Sequence, residues 1–315
     1  MSLVTIISNA ETKKILILDA QSQEPYKTMR EGVVEELKKY GYETGKNLIV
    51  DSEIVGNFEG RAYNILKAEA DKYDLIFING TVAAQGAVEF INKRNEKDKY
   101  SFVFANVTDP IGLGLMSKID EPSKTRFTGV AYPVNVEERL RFIMKIFGNS
   151  IKIGYIYADM PQSKAYNRWL NETLKKDEFK NIKLISRKIE FVKGDEGHKR
   201  MVQLAKKSVI EIDKSVDIFM SPNDQMGISD EFSIMVNKTA TKPLIGLANE
   251  SGSTAALASD TVKNSKKIAK MIKMIFEGAK VNEIISQKSE AKIYYDEVLV
   301  EKFKIDIKKI KKQIK

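Results

Sequence analysis

Cysteine is absent from the chain. Its absence removes disulfides, thiolate nucleophiles and every sulfur-ligated metal centre. Histidine occurs once, at His198, so a histidine metal cluster and a nucleophile–histidine–carboxylate triad both lack their parts. Neither a G-x-S-x-G motif nor a P-loop is present, and the G-x-G at Gly112 and Gly114 does not open a helix inside a βαβ unit, so a dinucleotide fingerprint is not met. No apolar run approaches the ~20 residues of a membrane-spanning helix. On these grounds we expect no metal, no cofactor and no catalysis.

What remains is an ordinary globular composition. The 315 residues are 43% hydrophobic and 30% charged, enough for two domains with their own cores. The formal net charge is +9, with seven lysines between Lys302 and Lys315. An anionic partner such as nucleic acid or a membrane surface would use such a cluster. The recurrence of Ile307, Ile310 and Ile314 at helical spacing favours a solvated helix face instead, and no nucleic-acid partner is expected. Met1-Ser2-Leu3 reads as an expression remnant, and no charged segment followed by an apolar one precedes Lys13. The chain is therefore expected either to be cytoplasmic or to follow a signal or lipid-anchor segment that is not in this sequence.

Apolar runs and helical periodicities alternate along the chain. Strands are expected at 13–19, 47–55, 74–79 and 101–107, with helices from Pro25, at 59–72 and at 82–93 between them. The pattern restarts after Gly129. Helices are expected at 134–147, 163–176, 199–214 and 226–238, with strands at 152–157, 182–191, 216–221 and 243–247. A third section adds a strand at 254–259, a strong helix at 262–277 and a strand at 291–295. Alternating β and α units predict parallel sheets with helices on both faces. Two runs of similar size imply two lobes, and the third section should return to them. In open parallel sheets ligands sit outside the carboxyl ends of strands. Four such ends stand out, at Thr81, Thr108, Asp224 and Glu250.

With these elements placed, four stretches carry a resemblance: QSQEPYKTMREG after the first strand, NGTVAAQGA after the third, FANVTDPIGLGL after the fourth and TRFTGVAYPVNVEERL where the pattern restarts. GYIYADMPQSKAYN, MSPNDQ and TAALASDTVKNSKKIA follow in the same order. From about Lys14 to Lys312 the sequence resembles the substrate-binding proteins of ABC importers with the type I periplasmic-binding fold, in the branch linked to aromatic amino acid uptake. The resemblance implies an α/β architecture of two Rossmann-like lobes with parallel sheets, joined by three hinge crossovers near 127–132, 252–256 and 282–288. Lobe one would comprise 13–128 plus 254–283, and lobe two 129–253 plus 284–315. It further implies hinge closure over a small ligand, delivery to an ABC permease, a monomer, and a periplasmic or cell-surface location. Tyr132 is bulkier than expected at its crossing, and Asn249-Glu250 adds a residue to a strand end.

Each candidate ligand residue has a plain alternative. Thr81 reads as the N-cap of its helix, where free N–H groups and the helix dipole suit a carboxylate. Thr108 and Asp109 follow the central strand. Asp109 is either an acceptor for a ligand ammonium or a turn residue ahead of Pro110. Asn223 and Asp224 would meet the ligand from the second lobe, or cap the helix expected at 226–238. Gln23 and Glu24 precede the first helix. Glu250 is a loop carboxylate, and Asp260 follows a crossing strand. Tyr26, Tyr132 and Tyr157 are candidates to wall a ligand ring, and Trp169 is read as packing. An anion pole at Thr81 opposed by Asp224, Glu250 and Asp109 points to an amino acid or close relative. The alternative is the ligand-sensing domain of a regulator or receptor with the same fold.

Overall fold

The computed structural model describes residues 11–95 and 99–311. The first sheet has six strands in the order β11-β5-β4-β3-β1-β2. They are β1 (Lys13–Asp19), β2 (Leu48–Ile54), β3 (Leu75–Asn79), β4 (Phe102–Val107), β5 (Phe127–Ala131) and β11 (Gln287–Lys288). Every pairing in it is parallel. Strand alternation divides its side chains between two cores. Ile15, Ile17, Phe77 and Val103 pack with Met29, Val33 and Leu37 of α1 (Tyr26–Lys39) and with Ile268, Ala269 and Ile272 of α8 (Thr261–Phe276). Leu16, Leu18, Ile76, Ile78 and Phe104 face the other way, toward Ala62 and Leu66 of α2 (Glu59–Glu69) and Ala83, Ala87 and Phe90 of α3 (Thr81–Asn92).

The second sheet has the order β12-β10-β9-β8-β6-β7. It contains β6 (Ile151–Ala158), β7 (Ile182–Ile189), β8 (Ile218–Met220), β9 (Leu244–Gly246), β10 (Ala255–Ser259) and β12 (Ala291–Tyr295). Only β12 runs antiparallel, against β10. One face packs on α4 (Val136–Phe147) and α5 (Pro161–Leu174) through Leu140, Ile143, Tyr166 and Leu170. The other packs on α6 (Gly197–Ile212) and α7 (Asp230–Thr239) through Met201, Val209, Phe232 and Val236. The short α9 (Glu297–Lys302) and α10 (Ile307–Lys311) close the chain on the first of these faces, with Val300 and Ile310 buried.

The chain passes between the sheets after β5, after β10 and after β11. This moves the expected lobe boundaries. Residues 129–131 belong to β5, and all five β5 residues are buried beside β4. The resemblance implies a hinge crossover near 127–132, where the structure has this strand. Residues 254–259, expected in lobe one, form β10 between β9 and β12 of the second sheet. Residues 287–288, expected in lobe two, pair with β5 in the first. The helix expected at 262–277 is α8, which packs on α1.

Two other expectations also change. The helix expected from 226 begins at Asp230, with Ser229 as its N-cap. The preceding segment is a tight turn in which a Cβ on Gly227 would stand 2.3 Å from Pro222 Cγ. The lysine-rich tail is not one helix, because Lys304 takes a left-handed φ of 54° between α9 and α10. Its lysines at 308, 309 and 311 are exposed while Ile310 is buried, and Ile314 lies outside the described residues.

Helices α2 and α3 approach closely at Gly86. A Cβ there would lie 2.6 Å from both the Glu59 carbonyl oxygen and the Ala62 Cβ. Gly86→Ala is therefore expected to destabilise the protein by about 1–3 kcal/mol through overpacking, despite alanine's better helix propensity. Urea unfolding of the variant beside the parent checks this.

Candidate functional site

The carboxyl ends of β3 and β4 in the first lobe face those of β6 and β8 in the second. On the first side the chain turns from β3 into α3 through Gly80, whose φ is 124°. A Cβ there would come within 2.6 Å of Ala20 Cβ and 2.8 Å of the Tyr26 ring. Glycine thus lets α3 start hard against the cleft. Gly80, not Thr81, is the N-cap, and no side chain caps α3. The Thr81 hydroxyl instead accepts from the backbone N–H of Thr108 at 3.1 Å. The helix dipole and its first N–H groups are therefore left for another anion.

Below this pair lies a buried polar scaffold. Asn106 adopts a left-handed φ of 55° at the end of β4, a conformation asparagine tolerates better than most residues. Its Nδ2 donates to Asn79 Oδ1 at 2.8 Å, and Asn79 Nδ2 donates to Asp19 Oδ1 at 2.6 Å and to the Tyr26 carbonyl at 2.9 Å. Arg30 pairs with the buried Asp19 carboxylate. Strand ends β1, β3 and β4 are thereby tied together beneath Thr81 and Thr108.

The second lobe presents the segment after β8. Asn223 Nδ2 donates to Thr108 Oγ1 at 3.0 Å, directly across the cleft. Asp224 is buried and accepts from the Ala158 N–H at 2.9 Å, the Ser163 hydroxyl at 3.0 Å and the Gly227 N–H at 2.8 Å. With three donors from its own lobe, Asp224 holds its own turn together. Burial pushes its carboxyl up to about 6 against these bonds.

Gln225 was not anticipated, although it ends the quoted stretch MSPNDQ. Its Nε2 donates to Tyr26 Oη and to Asn57 Oδ1, both at 3.1 Å, and its Oε1 accepts from Gln162. Its carbonyl accepts from Gln23 Nε2 at 3.2 Å. Four neutral side chains, from both lobes, thus meet on one residue.

The other expected residues fall into place unevenly. Thr81, Thr108, Tyr132, Asn223 and Asp224 converge with Tyr26, Asn106 and Gln162 on a small cavity of about 10 Å³. Gln23 and Glu24 instead line a separate pocket of about 240 Å³ with Glu196 and His198, and Glu24 accepts from the Thr28 N–H. Asp109 accepts from the Gly112 N–H at 2.8 Å as a turn residue, and also pairs with Arg168 of the second lobe at 2.8 Å. Tyr157 stacks on Tyr155 with 5.6 Å between centroids and belongs to the second-lobe core. Asp260 caps α8 through the Lys263 N–H. Neither lines this cavity. Trp169 is half-buried on a groove of about 1040 Å³ along the hinge flank, which Thr108 and Tyr132 also border.

Glu250 turns inward. Its Oε1 accepts from the N–H groups of Leu247 and Ala248, both at 2.9 Å, while its buried Oε2 has no hydrogen-bond partner among the described residues. Burial pushes its carboxyl up to about 7, with the Arg139 guanidinium pulling it back. Arg139, fully buried on α4, donates to the carbonyls of Ser221 at 2.9 Å and Ile245 at 3.2 Å. The same carboxylate and its own burial hold the Tyr132 phenol far above its ordinary range. Glu250 thus belongs to the support beneath the strand ends.

The model of the family described as ABC transporter substrate binding protein matches residues 14–309. The chain belongs to that family. Among solved structures, a conserved domain protein from Vibrio cholerae has 21% identity and a TM-score of 0.78, with 94% of this chain and 96% of that one covered. An ABC domain from Streptococcus pneumoniae in complex with L-Trp has 19% identity, a TM-score of 0.76 and the same coverage. A ligand-free, open substrate binding protein with adhesive properties from Clostridium difficile has 21% identity, a TM-score of 0.67, and coverage of 93% and 95%. These likenesses establish the two-lobed type I periplasmic-binding fold. No curated protein matches the chain. Among the described residues no helix is long and apolar enough to cross a membrane.

Glu250 yields a pH prediction. The folded protein holds its proton more tightly than the unfolded chain, from an ordinary value of 4.5 up to about 7. Stability from this group is therefore greatest below 4.5 and falls as pH rises toward 7. Glu250→Gln removes that dependence. Its stability relative to the parent is expected to rise by up to about 3 kcal/mol between pH 4.5 and 7. Denaturant titrations of both proteins across this window read the difference, and parallel profiles would contradict the assignment.

Proposed function

We propose that this chain is the solute-capturing component of an ABC importer, closing its two lobes over an amino acid or close relative and presenting it to a membrane permease. The observation that carries the reading is the Asn223–Thr108 bond across the cleft, directly in front of an α3 N-terminus that no side chain caps. A ligand carboxylate is assigned to that N-terminus, with the Thr81 and Thr108 hydroxyls beside it. The ammonium is assigned to neutral oxygens. Gln23 Oε1 and Gln162 Oε1 are buried without partners among the described residues, and the satisfied Asp224 charge stands behind them. Tyr26 and Tyr132 offer ring faces to a side chain. The L-Trp complex of the Streptococcus pneumoniae relative is consistent with this class of ligand. In the same reading the protein works outside the cytoplasmic membrane as a monomer.

Titration calorimetry against the twenty amino acids, with myo-inositol and a neutral hexose as controls, tests the proposal. An amino acid is expected to bind and the polyols are not. Thr81→Val should weaken that binding by about 1.5–3 kcal/mol, the contribution of a hydrogen bond to a charged group. Preference for the neutral polyols would sink the ligand class.

A further inference from the structure

Away from the cavity, the two lobes also meet at the cleft rim. The loop between β7 and α6, residues 190–196, reaches from the second lobe to the segment after β1 in the first. Asp195 Oδ1 accepts from the Ser22 N–H at 2.7 Å, and Oδ2 accepts from the Ser22 hydroxyl at 2.5 Å. Gln21 Nε2 donates to the Gly194 carbonyl at 2.9 Å, and the Gly194 N–H donates to the Gly56 carbonyl at 3.0 Å. One carboxylate thus grips one serine twice, and two backbone groups of the neighbouring glycine complete the contact. None of Gln21, Ser22, Gly56, Gly194 or Asp195 lines the cavity at the floor.

The loop is shaped for this reach. Gly194 has a φ of 102°, which a side chain would strain. A Cβ on Gly197 would stand 2.2 Å from the Val192 carbonyl oxygen, so the loop turns back tightly into α6. Behind it, His198 Nδ1 lies 3.3 Å from the Asp195 carbonyl oxygen. On the facing lobe Gly56 has a φ of 63°, a left-handed conformation that favours glycine.

We infer that Asp195 is a positioning residue that sets the open–closed equilibrium of the lobes independently of the ligand. Hydrogen bonds to a carboxylate are stronger than neutral ones, and these two exist only when the rim is shut. The latch also bears on binding, because Gln23, next to Ser22, donates to the Gln225 carbonyl. An apparent dissociation constant equals the intrinsic one divided by the closed fraction. Loss of the latch should therefore weaken every ligand by the same factor and leave the preference among ligands unchanged. The inference does not depend on which solute the cleft takes.

The test uses the whole protein without ligand. Because the chain has no cysteine, Asn64→Cys on α2 and Lys206→Cys on α6 give a unique spin-labelled pair. Both positions are exposed, and their helices follow the two rim loops directly. Pulsed electron–electron resonance then reports the distribution of distances between the lobes. In the parent background we expect a dominant short distance. Asp195→Ala and Ser22→Ala should each raise the ratio of long to short distances, on the order of tenfold. The double variant should add little to either single one, and Asp159→Ala, a carboxylate on the second-lobe surface, should change nothing. Melting curves confirm that each variant is folded. An unchanged distribution in folded Asp195→Ala, or additive effects in the double variant, would overturn the inference. Failure of amino acids to bind in calorimetry would leave this result untouched.

Discussion

The site rests on a carboxylate that water never reaches. Taking Asp224 out of solvent is costly, and burial raises its carboxyl to about 6. The cost is offset only because the chain surrounds it with donors: the end of β6 through Ala158, the first turn of α5 through Ser163, and its own turn through Gly227. Those bonds close the turn on itself and lock it to two elements of the second lobe, β6 and α5. As a consequence Asn223 and Gln225, on either side of Asp224, are held with their amides facing the first lobe. Removing the carboxylate would leave three donors buried without an acceptor, a heavier penalty than the loss of any single bond.

The first lobe solves the same problem with a chain of amides rather than one hub. Asp19, Asn79 and Asn106 link β1, β3 and β4 in series, and Arg30 balances the charge at the end. Both solutions follow from parallel topology. Parallel strands end together on one edge of the sheet, where the backbone leaves the ladder and its polar groups need partners. Two sheets facing each other by such edges place two polar surfaces in opposition, and the cleft inherits their unspent hydrogen-bonding capacity.

The architecture was legible because periodicity is a local property. Strand runs such as KKILILD and helices such as α8 announce themselves by spacing alone, and their alternation carries the parallel sheets. What was not legible depends on contacts distant in sequence. FTGVA at 127–131 is too short to separate strand from connector without seeing β4 beside it. TAALAS reads as a strand from its own residues, but its lobe is set by β9 and β12, which lie on either side of it in space. The strand ends at Thr81, Thr108 and Asn223 are legible from position alone, and the structure brings them around one cavity. The roles of Asp224 and Glu250 are not legible in this way, because an acidic residue at a strand end reads alike whether it faces a ligand or its own backbone. Only the count of donors around each carboxylate decides between those roles.

That count also explains how the hinge remains compatible with a firm site. Arg139 gathers the carbonyls of Ser221 and Ile245 from two neighbouring strand ends, and Glu250 gathers the N–H groups that follow the second. These hydrogen bonds tie the inner edge of the second lobe into one body. Tyr132, on the first crossing, lies against that body with a hydroxyl that has no partner among the described residues. The crossing is therefore packed on the second lobe without being bonded to it through this side chain. A rotation of the lobes at the crossings would break bonds across the cleft such as Asn223–Thr108 and Gln225–Tyr26, while the bonds around Asp19 and Asp224 lie within one lobe each and would keep their partners.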